Sequence, residues 1–306
     1  MFVYFKLATK YNIIDQPNSR SSHDYITIRG GGIVFWLAAT LWFLITNYKL
    51  RITNDGIFFI FGLTLISIVS FWDDIKSLPN KIRIVIHFIS ITCVFYGLGI
   101  FSTLPWYLII TSYIFFVGIL NAYNFIDGIN GITGLYSLTI LIALQYINQQ
   151  QIHFTEPDFI NYAIIACIIF LFFNFRKKAK CFAGDIGSMA ISFWIVTLLL
   201  QLMLKTDSII WIMFLAVYGV DSVGTILHRI YLQQNIFKAH RMHFYQILAN
   251  EKHLSHQLVS SLYAVTQLLI CGIITTIHFY FPAWELTAAI AILLILSLIY
   301  LLKFKQ

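Results

Sequence analysis

Charged residues are scarce in this 306-residue chain, at 11% of the total, whereas about a quarter of a soluble domain is charged. Hydrophobic residues make up 59% and aromatic residues 17%, and the mean hydropathy is +0.80. So few polar groups could not cover the surface of a water-exposed globule of this size. The composition therefore excludes a soluble fold and predicts an integral membrane protein.

Cysteines are also few. Cys93, Cys167 and Cys271 fall inside apolar runs, Cys181 lies in a basic loop, and no CxxC pair occurs. We therefore expect neither a disulfide framework nor a zinc site. A secretory signal peptide is also lacking, because no apolar core follows a charged start. Met1–Phe5 is apolar but too short to cross a bilayer, so we expect either an interfacial stub or the end of a longer first helix.

Long apolar runs follow one another with short gaps along most of the chain. They leave no room for a second, soluble domain, and we predict a single all-α domain over residues 1–306. Its predicted architecture is a polytopic membrane bundle of about ten transmembrane helices. The spans are expected at residues 30–48, 57–72, 84–100, 106–121, 132–147, 159–174, 187–204, 209–227, 259–281 and 285–302.

Basic residues test this segmentation, because Lys and Arg collect on the cytoplasmic side of membrane proteins. Numbering the loops alternately puts 17 of the 20 basic residues in one set. Only Lys49, Arg51 and Lys205 fall in the other set. We therefore expect the longer, more polar loops to be cytoplasmic. The formal charge of +7 then reflects topology and anionic headgroups rather than nucleic acid.

The first cytoplasmic segment ends in a glycine-rich stretch, Gly30–Gly32, at the mouth of a predicted helix. Successive glycines before a helix can expose backbone N–H groups to an anion, and Arg20 and Arg29 could add positive charge. Glycine-rich loops are common, so a turn with basic anchors is the preferred interpretation of this segment taken alone, and a phosphate seat is the alternative.

Adjacent carboxylates, Asp73 and Asp74, follow the second span. Neighbouring residues on a helix point about 100° apart, so we expect the two side chains to have different functions. An acidic end also opposes the helix dipole. This cost favours a functional pair over an ordinary helix end.

The third cytoplasmic segment carries Asn121, Asn124 and Asp127 at intervals of three residues. Their oxygen-bearing side chains can lie along one helix face, and oxygen ligands suit Mg²⁺. An ordinary Asn- and Gly-rich turn does not explain a polar ladder that runs out of an apolar helix.

The fourth segment places Asp185 beside Gly184 and Gly187, after four cations between Arg176 and Lys180. We interpret the cations as membrane anchors and Asp185 as a group that handles metal or phosphate.

The last cytoplasmic segment contains His240, Arg241 and His243. Histidines three residues apart can share a face, and Arg241 between them could bind phosphate through both arms of its guanidinium. An amphipathic interfacial stretch with histidines on its wet side is the competing interpretation. Asp221 is the only acidic residue well inside a predicted span.

Together, these loops offer carboxylates, amides, arginines and histidines on one membrane face. Carboxylates with Mg²⁺ and basic clamps are typical of phosphoryl and diphosphate chemistry, in which positioning and charge neutralisation dominate catalysis. The membrane setting adds that one substrate is expected to be a lipid phosphate.

The segments also resemble a known family. In order and spacing, Asp73-Asp74 and the stretches 121–128, 182–188 and 239–243 are similar to the signatures of the polyprenyl-phosphate N-acetylhexosamine-1-phosphate transferases, as is the opening segment 15–32. The resemblance implies transfer of a sugar 1-phosphate from a UDP-N-acetylhexosamine to undecaprenyl phosphate, with Mg²⁺ or Mn²⁺, releasing UMP. It also implies a multi-pass protein of the bacterial cytoplasmic membrane, with a homodimer as a candidate assembly and no nucleic-acid partner.

The resemblance also carries roles for individual residues. The roles it implies are catalysis by Asp73, Asp74 and Asp127; metal binding by Asn124, Asp127 and Asp185; and substrate binding by Arg20, Arg29, Asn121, His240, Arg241 and His243.

Two departures from the family pattern narrow the expectation. Asn130 stands where many members have a further aspartate, so it is not counted as a charged ligand. Phe244 and Tyr245, rather than more histidines, follow His243. This departure favours an enzyme that initiates O-antigen or another surface polysaccharide over a phospho-MurNAc-pentapeptide translocase.

Other functions remain open from the sequence. A transporter of polyprenyl lipids or nucleotide sugars would need polar residues part-way across several spans and a signature on the far side. The sequence shows neither. A lipid phosphatase would share the same metal chemistry.

Overall fold

The computed structural model describes residues 1–17, 22, 25–49, 53–235 and 240–304. The described residues form thirteen α-helices, some of them single turns. These are α1 Phe2–Lys10, α2 Ile33–Tyr48, α3 Asn54–Ile75, α4 Asn80–Gly97, α5 Ile100–Thr103, α6 Trp106–Ile126, α7 Ile132–Gln150, α8 Pro157–Asn174, α9 Gly184–Thr206, α10 Ala216–Tyr231, α11 Phe244–Gln246, α12 His256–Tyr280 and α13 Glu285–Leu301.

Short irregular helices extend three of these elements. A 3₁₀ segment, Ile209–Leu215, leads into α10, and another, Pro282–Trp284, leads into α13. A π-helical turn, Ile247–Glu251, follows α11. The last described residues, Leu302–Phe304, form a further 3₁₀ turn after α13.

Every predicted span coincides with a helix to within a few residues. Within the described ranges, seven helical stretches are long and apolar enough to cross a membrane. Helix α2 is shorter, with 16 residues, and α4 and α7 are not among the seven. The predicted fold class, a polytopic helical membrane protein, is confirmed, and the count of about ten crossings stays a prediction.

Helix α9 lies at the centre of the bundle, where it packs against α2, α3, α6 and α7. Its most apolar stretch is 83% buried, whereas that of α13 is 17% buried. A helix that is apolar all round fits either a buried position or a lipid-facing one. Here α9 takes the first position and α13 the second, with most of its leucines and isoleucines on the outside.

Aromatic side chains fill the middle of the core beside α9. The Phe59 ring lies 5.6 Å from Trp194 and 4.8 Å from Phe159, between ring centroids. Edge-on and tilted aromatic pairs at these distances add to the stabilisation that area burial gives. They fix α3 and α8 against α9, and so set where the polar ends of these helices lie.

The segment before α2 is held on the start of α9 by backbone pairing. Ile14–Asp15 pairs antiparallel with Thr27–Ile28, and Ile28 also pairs with Cys181. Gly32 comes so close to Gly187 that a Cβ on Gly32 would collide with the Gly187 backbone. The glycines therefore allow α2 and α9 to begin side by side, which carries Arg29 to the α9 terminus.

Candidate active site

Three carboxylates lie together at the start of α9, and we call them the acidic cluster: Asp73, Asp74 and Asp185. Gly184 opens the helix with φ at +71°, a conformation that favours glycine. The Asp74 carboxylate then accepts hydrogen bonds from the backbone N–H groups of Asp185, at 2.9 Å, and Ile186, at 3.1 Å. Asp74 thus caps α9 from the end of α3, where its negative charge meets the positive end of the helix dipole.

Arg29 joins two carboxylates of this cluster. Its Nε lies 2.6 Å from Asp74 Oδ1, and its Nη2 lies 3.3 Å from Asp185 Oδ1. The two acids raise the pKa of the guanidinium, although burial opposes this, so Arg29 stays charged. Arg29 therefore lies in the acidic cluster, where it contacts carboxylates of the protein itself. Its role in substrate binding stays a prediction.

The glycine-rich stretch packs against the segment before α9, which agrees with a turn rather than with a phosphate seat. The backbone N–H groups of Gly31 and Gly32 donate to the carbonyl oxygens of Phe182 and Ala183, at 2.8 and 3.0 Å. These donors are used within the fold and do not form an open anion seat. The glycines serve close packing instead. Arg20, the other predicted basic contact of this segment, lies outside the described residues.

Asp73 has different partners from Asp74, as the helical angle between them predicts. Its Oδ2 lies 3.1 Å from Arg83 Nη1, and its Oδ1 accepts a hydrogen bond of 2.6 Å from the Leu78 backbone. Arg83 also reaches Asp185, with 3.7 Å between Nη2 and Oδ2. Arg83 was not predicted from the sequence, where it is one more cation in a basic loop.

The end of α6 reaches the same cluster through Asn124. Its Nδ2 donates to Asp185 Oδ1 at 3.0 Å and to Ser188 Oγ at 3.2 Å. The Asn121 amide turns instead to its own helix, where it donates to the Val117 carbonyl at 2.9 Å. Among the two asparagines of the predicted ladder, the structure therefore brings Asn124, but not Asn121, into contact with Asp185.

Asp127 closes the ladder at the C-terminal cap of α6. Its Oδ1 accepts a hydrogen bond of 2.6 Å from Thr133 Oγ1. Burial raises the pKa of the Asp127 carboxyl to about 7, and the Asp185 charge adds to the shift, whereas the Thr133 hydrogen bond and Arg29 oppose it. At neutral pH this carboxyl is therefore divided between its protonated and ionised forms.

The two histidines of the last segment lie together, as their spacing predicts. The ring centroids of His240 and His243 are 4.9 Å apart, with 33° between the planes. Burial lowers the pKa of His240 to about 4, and the neighbouring charges of His243 and Arg229 add to the effect. His240 is therefore neutral at physiological pH. Arg241 lies between them in the chain and is half-buried.

Tyr245 connects residues 240–246, which we call the histidine segment, to the end of α6. Its hydroxyl donates a hydrogen bond of 3.0 Å to the Phe125 carbonyl, next to Asn124. The histidine segment and the acidic cluster therefore lie at the same end of the bundle. This is the arrangement that alternating loops predicted.

Comparison with known proteins shows which family the chain is similar to. A family model described as "Glycosyl transferase family 4" matches residues 57–203. The match covers just under half of the chain, which is therefore similar to this family, and the names of its curated relatives support the polyprenyl-phosphate N-acetylhexosamine-1-phosphate transferases as the family that it resembles. The predicted resemblance is thus confirmed. The family match and the names of the relatives support a transferase, and the apolar helices make the protein a multi-pass membrane protein.

Curated relatives of this chain come from several bacteria. A protein of Bacillus subtilis strain 168, named a probable undecaprenyl-phosphate N-acetylglucosaminyl 1-phosphate transferase, is 28% identical, covering 79% of this chain and 71% of the relative. The undecaprenyl-phosphate alpha-N-acetylglucosaminyl 1-phosphate transferases of Yersinia pestis and Escherichia coli K12 are 24% and 25% identical. They cover 94% and 93% of this chain, and 84% and 83% of their own lengths are matched.

The family match includes most of the candidate site. Asp73, Asp74 and Asp185 lie within residues 57–203. Arg29 and the histidine segment lie outside this range, and contacts within the structure bring them to the site.

The side chains of the candidate site include oxygen donors of the kind that bind a divalent cation. Within the described residues, no three His, Cys, Asp or Glu side chains are arranged to hold a metal ion. Arg29 and Arg83 pair with the acids instead. The oxygen donors of Asn124, Asp127 and Asp185 nevertheless suit a hard cation, and a cation would relieve the repulsion between the two carboxylates. The metal and catalytic roles of these residues stay predictions.

Proposed function

We propose that the protein transfers N-acetylhexosamine 1-phosphate from a UDP-sugar to undecaprenyl phosphate, giving the undecaprenyl-diphosphate sugar and UMP. The observation that carries the proposal is the gathering of Asp73, Asp74 and Asp185, with Arg29 and Arg83, at the same end of the bundle as the histidine segment. The names of the bacterial relatives support undecaprenyl phosphate as acceptor and N-acetylglucosamine as the first sugar to test.

The proposed reaction is a direct displacement. An oxygen of the lipid phosphate forms a bond to the sugar-bearing β-phosphorus, and the bond from that phosphorus to the bridging oxygen breaks. The bridging oxygen leaves with UMP and keeps the bonding electron pair. A phosphate monoester with a second pKa of about 6 is already largely dianionic at neutral pH, so the attack needs no strong general base.

The acidic cluster then serves positioning rather than proton removal. Asp73 lies beside Arg83, and a guanidinium in this place could orient either phosphate substrate. Asn124, Asp127 and Asp185 are the residues that would hold Mg²⁺ or Mn²⁺, which would supply neutralisation of the charge that builds up on the departing UMP. His240, neutral by its lowered pKa, would contribute a hydrogen bond rather than a charge.

The proposal includes a place and a pathway. The excess of Lys and Arg in one set of loops supports a site that faces the cytoplasm, where UDP-sugars are made. We place the protein in the bacterial cytoplasmic membrane. The product would be the first lipid-linked intermediate of O-antigen or another surface polysaccharide.

The experiment uses purified protein, undecaprenyl phosphate, Mg²⁺ and a panel of UDP-sugars, with mass analysis of the lipid product. We expect UMP and a lipid heavier by one sugar phosphate, and neither without the lipid acceptor. UMP released without lipid would indicate hydrolysis, and free phosphate released from the lipid would indicate a phosphatase. A labelled sugar-phosphate adduct of the enzyme would contradict direct displacement.

A further inference from the structure

Asp221 is a buried carboxylate inside the membrane-spanning part of α10. The residue is 3% exposed. A carboxylate within a spanning helix is costly unless hydrogen-bond donors surround it, and such residues commonly serve function. The hydrogen-bond partners of Asp221 therefore indicate its function.

Both oxygens of Asp221 contact the histidine segment. Oδ1 accepts a hydrogen bond of 2.8 Å from the Phe244 backbone and lies 3.3 Å from His243 Nδ1. Oδ2 accepts bonds from the Tyr263 hydroxyl, at 2.7 Å, and from the Tyr245 backbone, at 3.3 Å. The carboxylate thus caps α11 and joins it to α12.

The contact with Asp221 determines which nitrogen of His243 remains available. The Gln246 backbone N–H also points at the His243 side chain in the capping box of α11. A carboxylate can only accept a hydrogen bond, so the nearby charge of Asp221 favours the form with hydrogen on Nδ1. Nε2 then remains. It is buried, and no hydrogen-bond partner for it occurs among the described residues. A buried polar atom without a partner carries a desolvation cost, which a bound ligand would remove.

The rest of the segment is anchored on two further sides. Lys303, at the end of α13, donates to the Met242 carbonyl at 3.1 Å, and Tyr245 reaches Phe125 beside the acidic cluster. These bonds hold the backbone. Apart from the Gln246 backbone of its own turn, Asp221 is the hydrogen-bond partner of the His243 ring within the described residues. It comes from a helix that carries none of the predicted site residues.

We propose that Asp221 is a positioning residue of the transferase site, which fixes the His243 ring with Nδ1–H toward its carboxylate and presents Nε2 to the UDP-sugar. The inference rests on the proposed function, since it assigns a task to the same site. Carboxylates behind ligand-binding histidines set the tautomer and ring orientation, and their loss typically costs about 10- to 100-fold.

The test compares Asp221→Asn with Tyr263→Phe in the purified, full-length protein. In Asp221→Asn the side-chain NH₂ group can face Nδ1–H, which would turn the ring or reverse the tautomer. We expect kcat/KM for the UDP-sugar to fall about 10- to 100-fold, with the KM for undecaprenyl phosphate unchanged. Tyr263→Phe removes a bond to the same carboxylate but leaves His243 its partner, and we expect it to lower the melting temperature without this selective loss.

A double-mutant cycle separates positioning from independent effects. Once His243 is replaced by Ala, Asp221→Asn should cost less than about twofold more, because residues that act through one another are non-additive. Losses that multiply would overturn the proposal. So would equal changes in the KM values of both substrates.

A measurement on the wild-type protein covers the case in which Asp221→Asn does not fold. With ¹⁵N-labelled histidine, the resonance that disappears in His243→Gln should belong to a ring with hydrogen on Nδ1, and should shift when the UDP-sugar is added. A ring with Nδ1 unprotonated would contradict the inference. This spectrum does not depend on turnover, so a protein that makes no lipid product would refute the proposed function and leave the Asp221 contact to be judged separately.

Discussion

Asp74 and Asp73, beside the start of α9, differ in function: we expect Asp74 to stabilise the fold and Asp73 to act on the substrate. Asp74 has a fully buried carboxylate, with two backbone donors and Arg29 around it. Asp73 pairs with Arg83, accepts a hydrogen bond from the Leu78 backbone and also interacts with Asp185. The sequence predicts that the two aspartates differ, because of the angle between them, but it cannot predict the partner of each. Those partners come from helices distant in the chain.

Replacing the two aspartates should therefore have different effects. Asp74→Ala leaves Arg29 partly buried without its main partner and uncaps α9, and we expect a loss of about 2–3 kcal/mol in stability. Asp73→Asn can still accept the Leu78 bond, so it should keep the melting temperature and lose transfer. Thermal unfolding in detergent and lipid-product formation measure the two effects. Equal destabilisation by both changes would argue against this division.

The predicted metal ligands give a second residue-scale test. Asp127→Asn and Asp185→Asn remove a charge each and keep the shape of the side chain, so we expect both variants to fold and to lose transfer. Folding is checked by gel filtration and activity by UMP release. Turnover near the normal rate in either variant would remove that residue from the metal site.

The pKa of Asp127 predicts a pH dependence for the metal. A raised pKa of about 7 favours the protonated carboxyl below pH 7, and a metal ligand must be ionised. Affinity for Mn²⁺, measured by electron paramagnetic resonance without substrates, should therefore fall below pH 7 by up to about tenfold per unit. Asp127→Asn should bind weakly and without this slope. An unchanged slope in this variant would assign the pH effect to another group.

At the scale of helices, the elements themselves are well predicted from the sequence and their ends less so. Apolar length is a local property, and each of the ten predicted spans is a helix. The glycine stretch before α2 shows the limit. Glycines next to a helix start suit either an anion or a neighbouring backbone, and only the tertiary contact with α9 decides between them. The function of Asp221 is likewise not predictable from its local sequence, because its partners lie in α11 and α12.

The contact between α2 and α9 can be tested with a small substitution. Gly32→Ala would push a methyl group into the Gly187 backbone, and overpacking of this kind costs about 1–3 kcal/mol. We also expect lower activity, because the shift moves Arg29 from Asp74. The matched control is Gly118→Ala in α6, where nothing lies within 4 Å of the added carbon. The idea fails if both variants melt alike.

At the scale of the whole molecule, predicted site residues between Arg29 and His243 in the chain come together at one end of the bundle. None of the predicted site residues that the structure describes forms such a cluster at the other end. The alternation of basic and bland loops predicts this gathering before any contact is known. It does not predict the contacts through which the two clusters meet, such as the bond from Tyr245 to Phe125. The account therefore depends on both clusters opening to one compartment.

Cysteine accessibility tests this claim most directly. In a background without the four native cysteines, Ser77→Cys lies beside the acidic cluster, Lys252→Cys follows the histidine segment, and Gln150→Cys lies at the opposite end; the side chains of all three residues are exposed. A maleimide that cannot cross membranes should label Gln150→Cys in intact cells, and the other two only after the cells are opened. Labelling of Ser77→Cys and Lys252→Cys from opposite compartments would contradict a shared site.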